Sequence, residues 1–581
     1  MSKSKPKSKS VPTPAPAVSA LASPQAVPVA LKRWDQILLG GLLLWTFLSL
    51  CYPLMDTDFW WHLKTGEYIL QEHRIPIVDL YTFTDNNKAW TDLHWGFQIL
   101  ITVLYRLGGV PLVTLVKAAV ITGAVAVAWF AGGRSLPAWM KAVCWIPAVV
   151  CISGRGYERP EMLSQLFLAG WLWIASQVAV RPRLIWWLPV LPLVWVNCHA
   201  LFVLGLVVGA AYALDCLARD LADGRWGLAR ADHNPTGRSL IYAGGLTAIA
   251  CLINPYFEEG ALFPLTLYRK FSVDHEFYSA NIGEFRPPLG FLEEQFRRGK
   301  LLAGLTNVYF LSETICWLLA AGSFAWLLWR RRRWSVMRAL LFAGFSHLAW
   351  KATRNSNIFA IVATVITCEN LAEADLPLSK SSPATGPTPA TDGRPWLNWS
   401  LTTVLGALIM LVVTGAWAQL AEADKKFGLG ERPRWFIHDA AKFAGQPGLP
   451  RFALIANNGQ ASVYAYHNAP DRLIFMDARL EVCTRETFEL FNQILAEIMQ
   501  RDPVWQKRLF AATGNQEMPA VILDSRGSRP YINALLQTPG WRLVFADRAA
   551  AVFLSDAQAD DLHLPPANPE PLVYPDGPTS R

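Results

Sequence analysis

The chain has 581 residues, of which 52% are hydrophobic and 17% are charged, and its mean hydropathy is positive. This balance excludes a protein that folds wholly in water, and we expect most of the chain to lie in a lipid bilayer. The net charge of +8 comes from the N-terminal segment and from basic loops. Because no soluble face carries Lys and Arg interleaved with aromatic rings, the sequence argues against nucleic acid as a partner.

Residues 1–33 are rich in Ser, Pro, Lys and Ala and lack bulky apolar side chains. We predict a disordered, basic cytoplasmic tail here. Lys32 and Arg33 directly precede the first apolar segment, which has no small-residue cleavage site and is therefore predicted to be a membrane anchor.

Eleven apolar segments then follow, each near the length that crosses a hydrocarbon core. They are Leu38–Leu54, Val110–Phe130, Val143–Ile152, Met162–Val180, Trp186–Val196, Leu201–Leu217, Ile241–Ile253, Val308–Trp329, Leu340–Trp350, Ile358–Cys368 and Leu401–Leu420. The predicted fold is therefore mainly α: a polytopic transmembrane helical bundle of about 11 spans over residues 34–420, with a small α/β soluble domain after it.

The basic loops set the orientation of these spans, because Lys and Arg are enriched on the cytoplasmic side. All the short loops assigned to the cytoplasm are basic, including Arg330–Arg333 and the linker 373–398. The basic loops all fall on the cytoplasmic side only if the segment His94–Leu107 does not cross the membrane. We predict that it lies flat on the outer surface, separated from the next helix by Gly108-Gly109. The prediction places a large first loop, residues 55–109, outside.

The first loop carries two carboxylates, Asp56 and Asp58, directly after the first span. One of them can serve as a general base, or the two can hold a divalent cation, Mg²⁺ or Mn²⁺, through their oxygen atoms. Trp61 and His62 follow at once and could contact a sugar. An aromatic belt at the membrane interface with solvated acids is the alternative.

Further candidates for substrate binding lie on the same predicted face, where polar residues at a membrane boundary commonly mark a site. They are Asp79, His94, Arg155, Glu158, Arg159, Asn197, His199, Glu284, Arg354 and Asn355. The arginines suit a phosphate, because guanidinium donates paired hydrogen bonds to it. Orientation anchors or internal ion pairs are the alternative for the arginines, and hydrogen-bonding within the core for His199.

After the last span, residues 430–556 change to short apolar runs around a helical stretch, Thr484–Gln500, which predicts a small α/β domain outside the membrane. Four charged residues, Asp477, Arg479, Glu481 and Arg485, could touch an acceptor or form a structural ion pair. Residues 557–581 are predicted to be a disordered tail.

The ordered motifs resemble bacterial polytopic membrane proteins of the C-type (GT-C) glycosyltransferase superfamily. The resemblance spans roughly Leu38 to Asp547 and rests on DTDFWWHLKTGEYIL, IPIVDLYTFT, WTDLHW, ERPEML, WVNCHALFVLG, INPY, IGEF and TRNSNIFAI. It implies that Asp58 is the general base, with Asp56 its companion and Asp79 in reserve. It also implies that Arg159 and Arg354 neutralise the phosphate of a polyprenyl-phosphate sugar donor. The chain departs from the superfamily at Phe285, where relatives usually have Trp.

The sequence therefore predicts a glycosyltransferase of the bacterial inner membrane that moves a sugar from a polyprenyl-phosphate donor to an extracytoplasmic lipid, glycan or protein acceptor. Two alternatives remain open: a transporter or flippase of lipid-linked saccharides, and a non-catalytic scaffold of envelope assembly. A transporter should carry ionisable residues at mid-helix and inverted repeats, whereas here those residues gather at helix ends.

Overall fold

A computed structural model of the protein describes residues 33–85, 87–133, 135–228, 236–375 and 395–572. The predicted N-terminal tail up to residue 32, most of the linker 373–398 and residues 573–581 lie outside these ranges, so the corresponding predictions stay untested.

The N-terminal three quarters of the described chain is helical. Its α-helices are Arg33–Leu50, Asp58–Glu72, Trp95–Ala131, Ala138–Gly154, Glu161–Gln177, Val190–Trp195, Val203–Ala222, Gly237–Leu252, Phe257–Val273, His275–Asn281, Pro288–Arg297, Leu301–Leu305, Val308–Arg331, Val336–Lys351, Ser356–Ala374, Pro395–Val413 and Ala416–Leu420. Short 3-10 helices join some of them at Pro182–Trp187, Ala200–Phe202, Gly283–Phe285 and Thr353–Asn355.

Five described helical segments are long and apolar enough to cross a membrane. They are Trp95–Ala131, Ala200–Ala222, Val308–Arg331, Thr353–Ala374 and Pro395–Val413. Gly237–Leu252 and Phe257–Val273 pass the same test together but are bent by 94°. The predicted multi-pass helical class is confirmed, whereas the count of about 11 is not. One reason is length: within the predicted span Trp186–Val196, the helix Val190–Trp195 has only six residues, and about 20 are needed to cross.

The helix Trp95–Ala131 is broken where the sequence predicts it. Gly108 and Gly109 have non-helical backbone angles, and Gly109 adopts a φ of 60°, which a residue with a Cβ atom rarely does. Trp95–Leu107 is therefore a separate helical piece, directed differently from the apolar piece that begins at Val110.

The C-terminal region is a small α/β domain with one five-stranded sheet in the order β2-β1-β3-β5-β4. The strands are β1 Phe452–Ile455, β2 Leu473–Ile474, β3 Ala520–Asp524, β4 Trp541–Ala546 and β5 Ala550–Ser555. β1 pairs in parallel with β2 and β3, and β5 pairs antiparallel with β3 and β4. The helices are His438–Ala444, Asn458–Asn468, Arg485–Gln500, Val504–Ala512, Arg529–Leu535 and Asp556–Asp561.

The segment after Asp556 differs from its prediction. Residues 557–572 were expected to be disordered, but Asp556–Asp561 is a helix and a 3-10 helix follows at Glu570–Leu572. Ser555 and Gln558 form a reciprocal capping box at the helix start, and Leu572 is buried. The capping pattern of Ser555 and Gln558 is visible in the sequence. It favours a helix at this point despite the Pro- and Asp-rich composition that follows.

The first loop docks directly onto the C-terminal domain. The amide of Phe83 donates to the carbonyl of Ile474, and the amide of Ile474 donates to the carbonyl of Tyr81, each over 2.9 Å. Residues 81–83 thus extend the sheet beyond β2. Between the two parts, Arg479 bonds Asp79 at 2.6 Å and Asp477 at 2.8 Å, with all three side chains buried. The loop and the domain therefore form one support for the residues between them.

Candidate active site

A polar cavity of about 440 Å³ lies between the start of the helix Asp58–Glu72, the ends of the membrane helices and the C-terminal domain. It collects eight of the side chains predicted from the sequence as site residues: Asp58, Trp61, His62, His94, Arg159, His199, Glu284 and Arg354. These residues come from six separate stretches of the chain. The fold therefore brings together most of the candidates at one place.

The floor of the cavity is an ion cluster around the guanidinium of Arg159. Its Nε and Nη2 donate to the two oxygens of Asp56 at 2.6 and 2.8 Å. Nη2 also lies 3.1 Å from Oδ2 of Asp58, and Nη1 donates to Oε1 of Glu284 at 3.1 Å. Nη2 of Arg155 donates to Oε2 of Glu284 at 3.2 Å. The two bonds from Arg159 to Asp56 therefore fix the orientation of the guanidinium.

Asp58 and Asp56 differ in what they can reach. The Asp58 side chain keeps 18% of its surface exposed and lines the cavity, whereas Asp56 keeps 2%. Burial, together with the charges of Asp56 and Glu284, raises the pKa of Asp58 to about 7 against the opposing effect of Arg159. A carboxyl group with that pKa, open to a cavity, has the properties of a general base near neutral pH.

The electrostatics of Glu284 are the reverse of those of Asp58. Burial raises the pKa of Glu284, but the guanidinium groups around it, with Arg159 the strongest, hold that pKa well below its usual range. Glu284 is therefore a permanent anion that balances the arginines, and it is not suited to exchange protons near neutral pH.

Two histidines on the cavity wall have defined partners. The Nδ1 atom of His94 lies 3.1 Å from Oδ1 of the buried Asp92. Burial lowers the pKa of His94, but the hydrogen bond and charge of Asp92 outweigh it and raise that pKa. His94 is therefore held in one orientation and favoured in its protonated form.

His199 has a different hydrogen-bond chain. Trp195 Nε1 donates to the Ser164 hydroxyl over 2.8 Å, and that hydroxyl lies 2.8 Å from Nδ1 of His199. We assign the hydroxyl proton to the bond with Nδ1, which leaves the imidazole proton on Nε2. Burial, with His94 and Arg354 nearby, keeps the pKa of His199 well below its usual value. The neutral ring is thus a hydrogen-bond donor.

Two buried ring nitrogen atoms of residues on the cavity wall lack a partner among the described residues: Trp61 Nε1 and His62 Nδ1. Both side chains are at least 96% buried, at 4% and 3% exposure, so open water does not compensate them. Leaving a buried donor or acceptor unpaired costs free energy. Both atoms are themselves buried, so neither faces the open space of the cavity.

An apolar groove of about 360 Å³ adjoins the polar cavity. Aliphatic and aromatic side chains of the bent helix pair and of Val336–Lys351 line it, including Leu265, Tyr268 and Phe345. The groove and the cavity share seven lining residues: Glu161, His199, Ala200, Leu267, Phe271, Phe285 and Arg354. Arg354 and His199 thus stand where apolar and polar surroundings meet.

Some predicted residues serve the framework and not the cavity. Glu158 is fully buried and pairs with Lys117 at 2.8 Å, and Asp79 is held by Arg479 and Thr82. The Asn197 Oδ1 atom accepts a hydrogen bond from Nε1 of Trp95, the first residue of the helix Trp95–Ala131, over 2.9 Å. None of the three lines the cavity, because each is bonded to a partner elsewhere in the fold.

Two further predicted residues lie beside the cavity. Arg155 lines an adjoining cavity of about 190 Å³ while it pairs with Glu284, and Asn355 lines the apolar groove.

The C-terminal domain supplies wall residues that were not among the predicted site residues: Asn457, Asn458, Gly459, Ala478 and Leu480. Glu481, which the sequence left open as an acceptor contact, also lines the cavity, whereas Asp477 and Arg479 form the internal ion pair. Asn457 and Ala478 follow strands β1 and β2, which are parallel, and side chains after parallel strands meet at one edge of a sheet. The order of the short apolar runs in the sequence could have indicated this edge of the sheet.

Glu161, two residues after Arg159, is not among the predicted site residues, yet it lines both the polar cavity and the apolar groove.

The predicted divalent cation site at Asp56 and Asp58 does not fit this arrangement. Oxygen ligands suit Mg²⁺ or Mn²⁺, but the two oxygens of Asp56 are bonded to Arg159 and Asp58 is paired with it as well. Within the described parts of the chain, no group of three or more His, Cys, Asp or Glu side chains is arranged to hold a metal ion.

Comparison with known proteins places the fold. The chain matches no protein-family model and no curated protein sequence. It is similar to the crystal structure of the Archaeoglobus fulgidus oligosaccharyltransferase in the apo form, with a TM-score of 0.52, 10% identity, and coverage of 85% of this chain and 70% of that one. The archaeal oligosaccharyltransferase AglB from the same organism, in complex with an inhibitory peptide and a dolichol-phosphate, gives a TM-score of 0.52 and 11% identity over the same shares.

The chain has the fold of these oligosaccharyltransferases. At this level of identity the likeness shows the fold alone and not the chemistry of individual residues.

Proposed function

We propose that the protein is a membrane glycosyltransferase that moves a sugar from a polyprenyl-phosphate donor to an acceptor hydroxyl outside the cytoplasm. The observation that carries the proposal is the junction of the apolar groove with the polar cavity, where Arg354 and His199 face both. A lipid-linked sugar has the same three parts in the same order: an apolar chain, a phosphate and a sugar.

The groove suits the polyprenyl chain, because its lining is predominantly apolar and buries hydrocarbon. At the junction, the guanidinium of Arg354 and the Nε2–H group of His199 can donate to phosphate oxygens. The solved fold relative bound to a dolichol-phosphate, a lipid of the same chemical class, lends further support.

The sugar then lies in the polar cavity against Trp61, His62 and Asp58. In the reaction, Asp58 accepts the proton of the acceptor hydroxyl while the acceptor oxygen attacks the anomeric carbon. The bond between that carbon and the phosphate oxygen breaks, and Arg354 and His199 stabilise the negative charge that develops on the phosphate.

The acceptor enters from the side of the C-terminal domain, whose Asn458 and Glu481 form the wall opposite the membrane helices. We further propose that the chain crosses the bacterial inner membrane several times and that the cavity and the C-terminal domain face outward. The basic run Arg330–Arg333 at the far end of the helix Val308–Arg331 supports this orientation.

The proposal is tested by replacing the base. Membranes that carry the wild type or Asp58→Asn are supplied with a lipid extract containing polyprenyl-phosphate sugars, and the release of free polyprenyl phosphate is followed by mass spectrometry. Because general-base catalysis contributes about 10²- to 10⁴-fold, we expect a loss of at least about 100-fold in Asp58→Asn.

Asp439→Asn is the matched control, since this carboxylate is 74% exposed and outside the cavity. It should release polyprenyl phosphate at the wild-type rate. Equal rates for the wild type and Asp58→Asn would remove the enzyme assignment and favour a scaffold or a flippase.

A further inference from the structure

Three carboxylates from distant parts of the chain converge on Arg159. Asp56 and Asp58 open the first loop, Glu284 lies in the 3-10 helix Gly283–Phe285, and Arg159 precedes the helix Glu161–Gln177. Oxygen ligands gathered from separate elements around one positive centre are the usual construction of a Mg²⁺ or Mn²⁺ site. Here the centre is a side chain of the protein itself.

Arginine pairs with nearly all of the carboxylate oxygens at this centre. Arg159 pairs with both oxygens of Asp56, one of Asp58 and one of Glu284, and Arg155 pairs with the second oxygen of Glu284. Five of the six oxygens are therefore paired with arginine among the described residues. The sixth, Oδ1 of Asp58, belongs to the carboxylate that lines the cavity.

We infer that Arg159 replaces a divalent cation at this centre, so that the transfer proposed above needs no metal ion and Arg159 is the positioning residue that orients Asp58. A guanidinium has a fixed planar fork and stays charged at every physiological pH, so it can hold several carboxylates in one geometry. It also leaves one Asp58 oxygen to accept a proton. The inference rests on the proposed function only for the statement about transfer.

The first experiment measures metal binding and needs no activity. Purified protein in detergent is titrated with Mn²⁺, and the free ion is followed by electron paramagnetic resonance. We expect the wild type to bind no Mn²⁺ at a stoichiometric site. In Arg159→Ala the three carboxylates lose their cation, and we expect one Mn²⁺ per chain, which the additional change Glu284→Gln should abolish.

Arg159→Lys is the matched variant, because it retains a positive charge at the centre and should not gain the Mn²⁺ site. If Arg159→Ala does not fold, the wild-type titration still decides the question. One Mn²⁺ bound per wild-type chain, removed by Asp56→Asn, would overturn the inference.

The second experiment tests positioning. Release of polyprenyl phosphate by the wild type should change by less than twofold when EDTA is added. Because Arg159 opposes the upward shift of the Asp58 pKa, Arg159→Gln should move the acidic limb of the pH–rate profile to higher pH, an effect that a purely structural role does not produce. Loss of wild-type activity in EDTA and its recovery with Mn²⁺ would overturn the inference. Absence of activity under every condition would count against the proposed function, while the Mn²⁺ titration would still decide the question of the cation.

Discussion

Two aspartates one residue apart have different chemistry because of what surrounds them. Asp56 is enclosed and bonded through both oxygens to Arg159, whereas Asp58 meets the same guanidinium through one oxygen and borders the cavity. A general base needs access to its substrate and a pKa near the working pH. At this pair, only Asp58 has both properties.

The pKa of Asp58 predicts how transfer depends on pH. Burial raises that pKa to about 7, so the carboxylate is protonated below about pH 7 and cannot accept the proton of the acceptor. We expect kcat/KM to fall about tenfold per pH unit below that value and to level off above it. Initial rates of polyprenyl phosphate release between pH 5 and pH 9 measure this profile.

The residual activity of Asp58→Asn provides the control for this profile, because the amide does not titrate and its rate should lack the acidic limb. A wild-type profile that is flat from pH 5 to pH 9 would contradict the role of Asp58 as the base.

The sequence could predict the kinds of residue at the site but not which acid would be buried by a partner. Asp58 and Asp79 both lie in the first loop, and both stand close to apolar or aromatic residues. Asp79 is paired with Arg479, which lies 400 positions later in the chain. No local pattern reports a partner at that distance, and so the distinction between a site residue and a framework residue required the fold.

At the scale of elements, the helix Asp58–Glu72 positions the base by packing against Trp95–Ala131. The two helices meet at Gly66, where a Cβ atom would overlap the Thr102 hydroxyl and the backbone carbonyl of Gln98. Only a residue without a side chain permits this close approach. The distance between the first loop and the membrane helices therefore depends on Gly66.

Gly66→Ala tests this contact. Forcing a methyl group against a backbone carbonyl that cannot rotate away should destabilise the protein by about 1–3 kcal/mol and displace Asp58. We expect a lower midpoint of thermal unfolding in detergent and reduced transfer. Gly40→Ala is the matched control: its Cβ would meet no atom within 4 Å, so stability there should stay the same or rise. Equal unfolding midpoints for the wild type and Gly66→Ala would contradict the close contact.

A helix that buries apolar residues on one face could be predicted from the sequence. Elements that depend on contacts between distant parts of the chain could not. The stretch Thr484–Gln500 is a predicted helix, and Arg485–Gln500 is helical with Phe488, Phe491 and Ile494 buried on one face. The strand-like addition of residues 81–83 to the C-terminal sheet has no such signal. It depends on the exposed edge of β2, more than 380 residues away in the sequence.

At the scale of the whole molecule, the charge pattern separates the two ends of the membrane region. The helix Val308–Arg331 has 24 residues, which at 1.5 Å per residue gives about 36 Å. Its first turn, at Tyr309, lines the small cavity beside Arg155, and its last turn leads into Arg330–Arg333. The site and the basic run therefore lie about one bilayer thickness apart, which is the separation that the proposed orientation requires.

Cysteine labelling tests this orientation, because all nine native cysteines are buried and should react slowly. Gln537→Cys introduces an exposed thiol in the C-terminal domain, and Arg333→Cys introduces one after the last turn of Val308–Arg331. In intact bacterial spheroplasts, a membrane-impermeant maleimide should label Gln537→Cys and should label Arg333→Cys only after lysis. The wild type is the control for background. The reverse pattern would place the cavity in the cytoplasm and require a donor presented on that side, because the cavity, the C-terminal domain and residue 537 lie on the same side of the membrane helices.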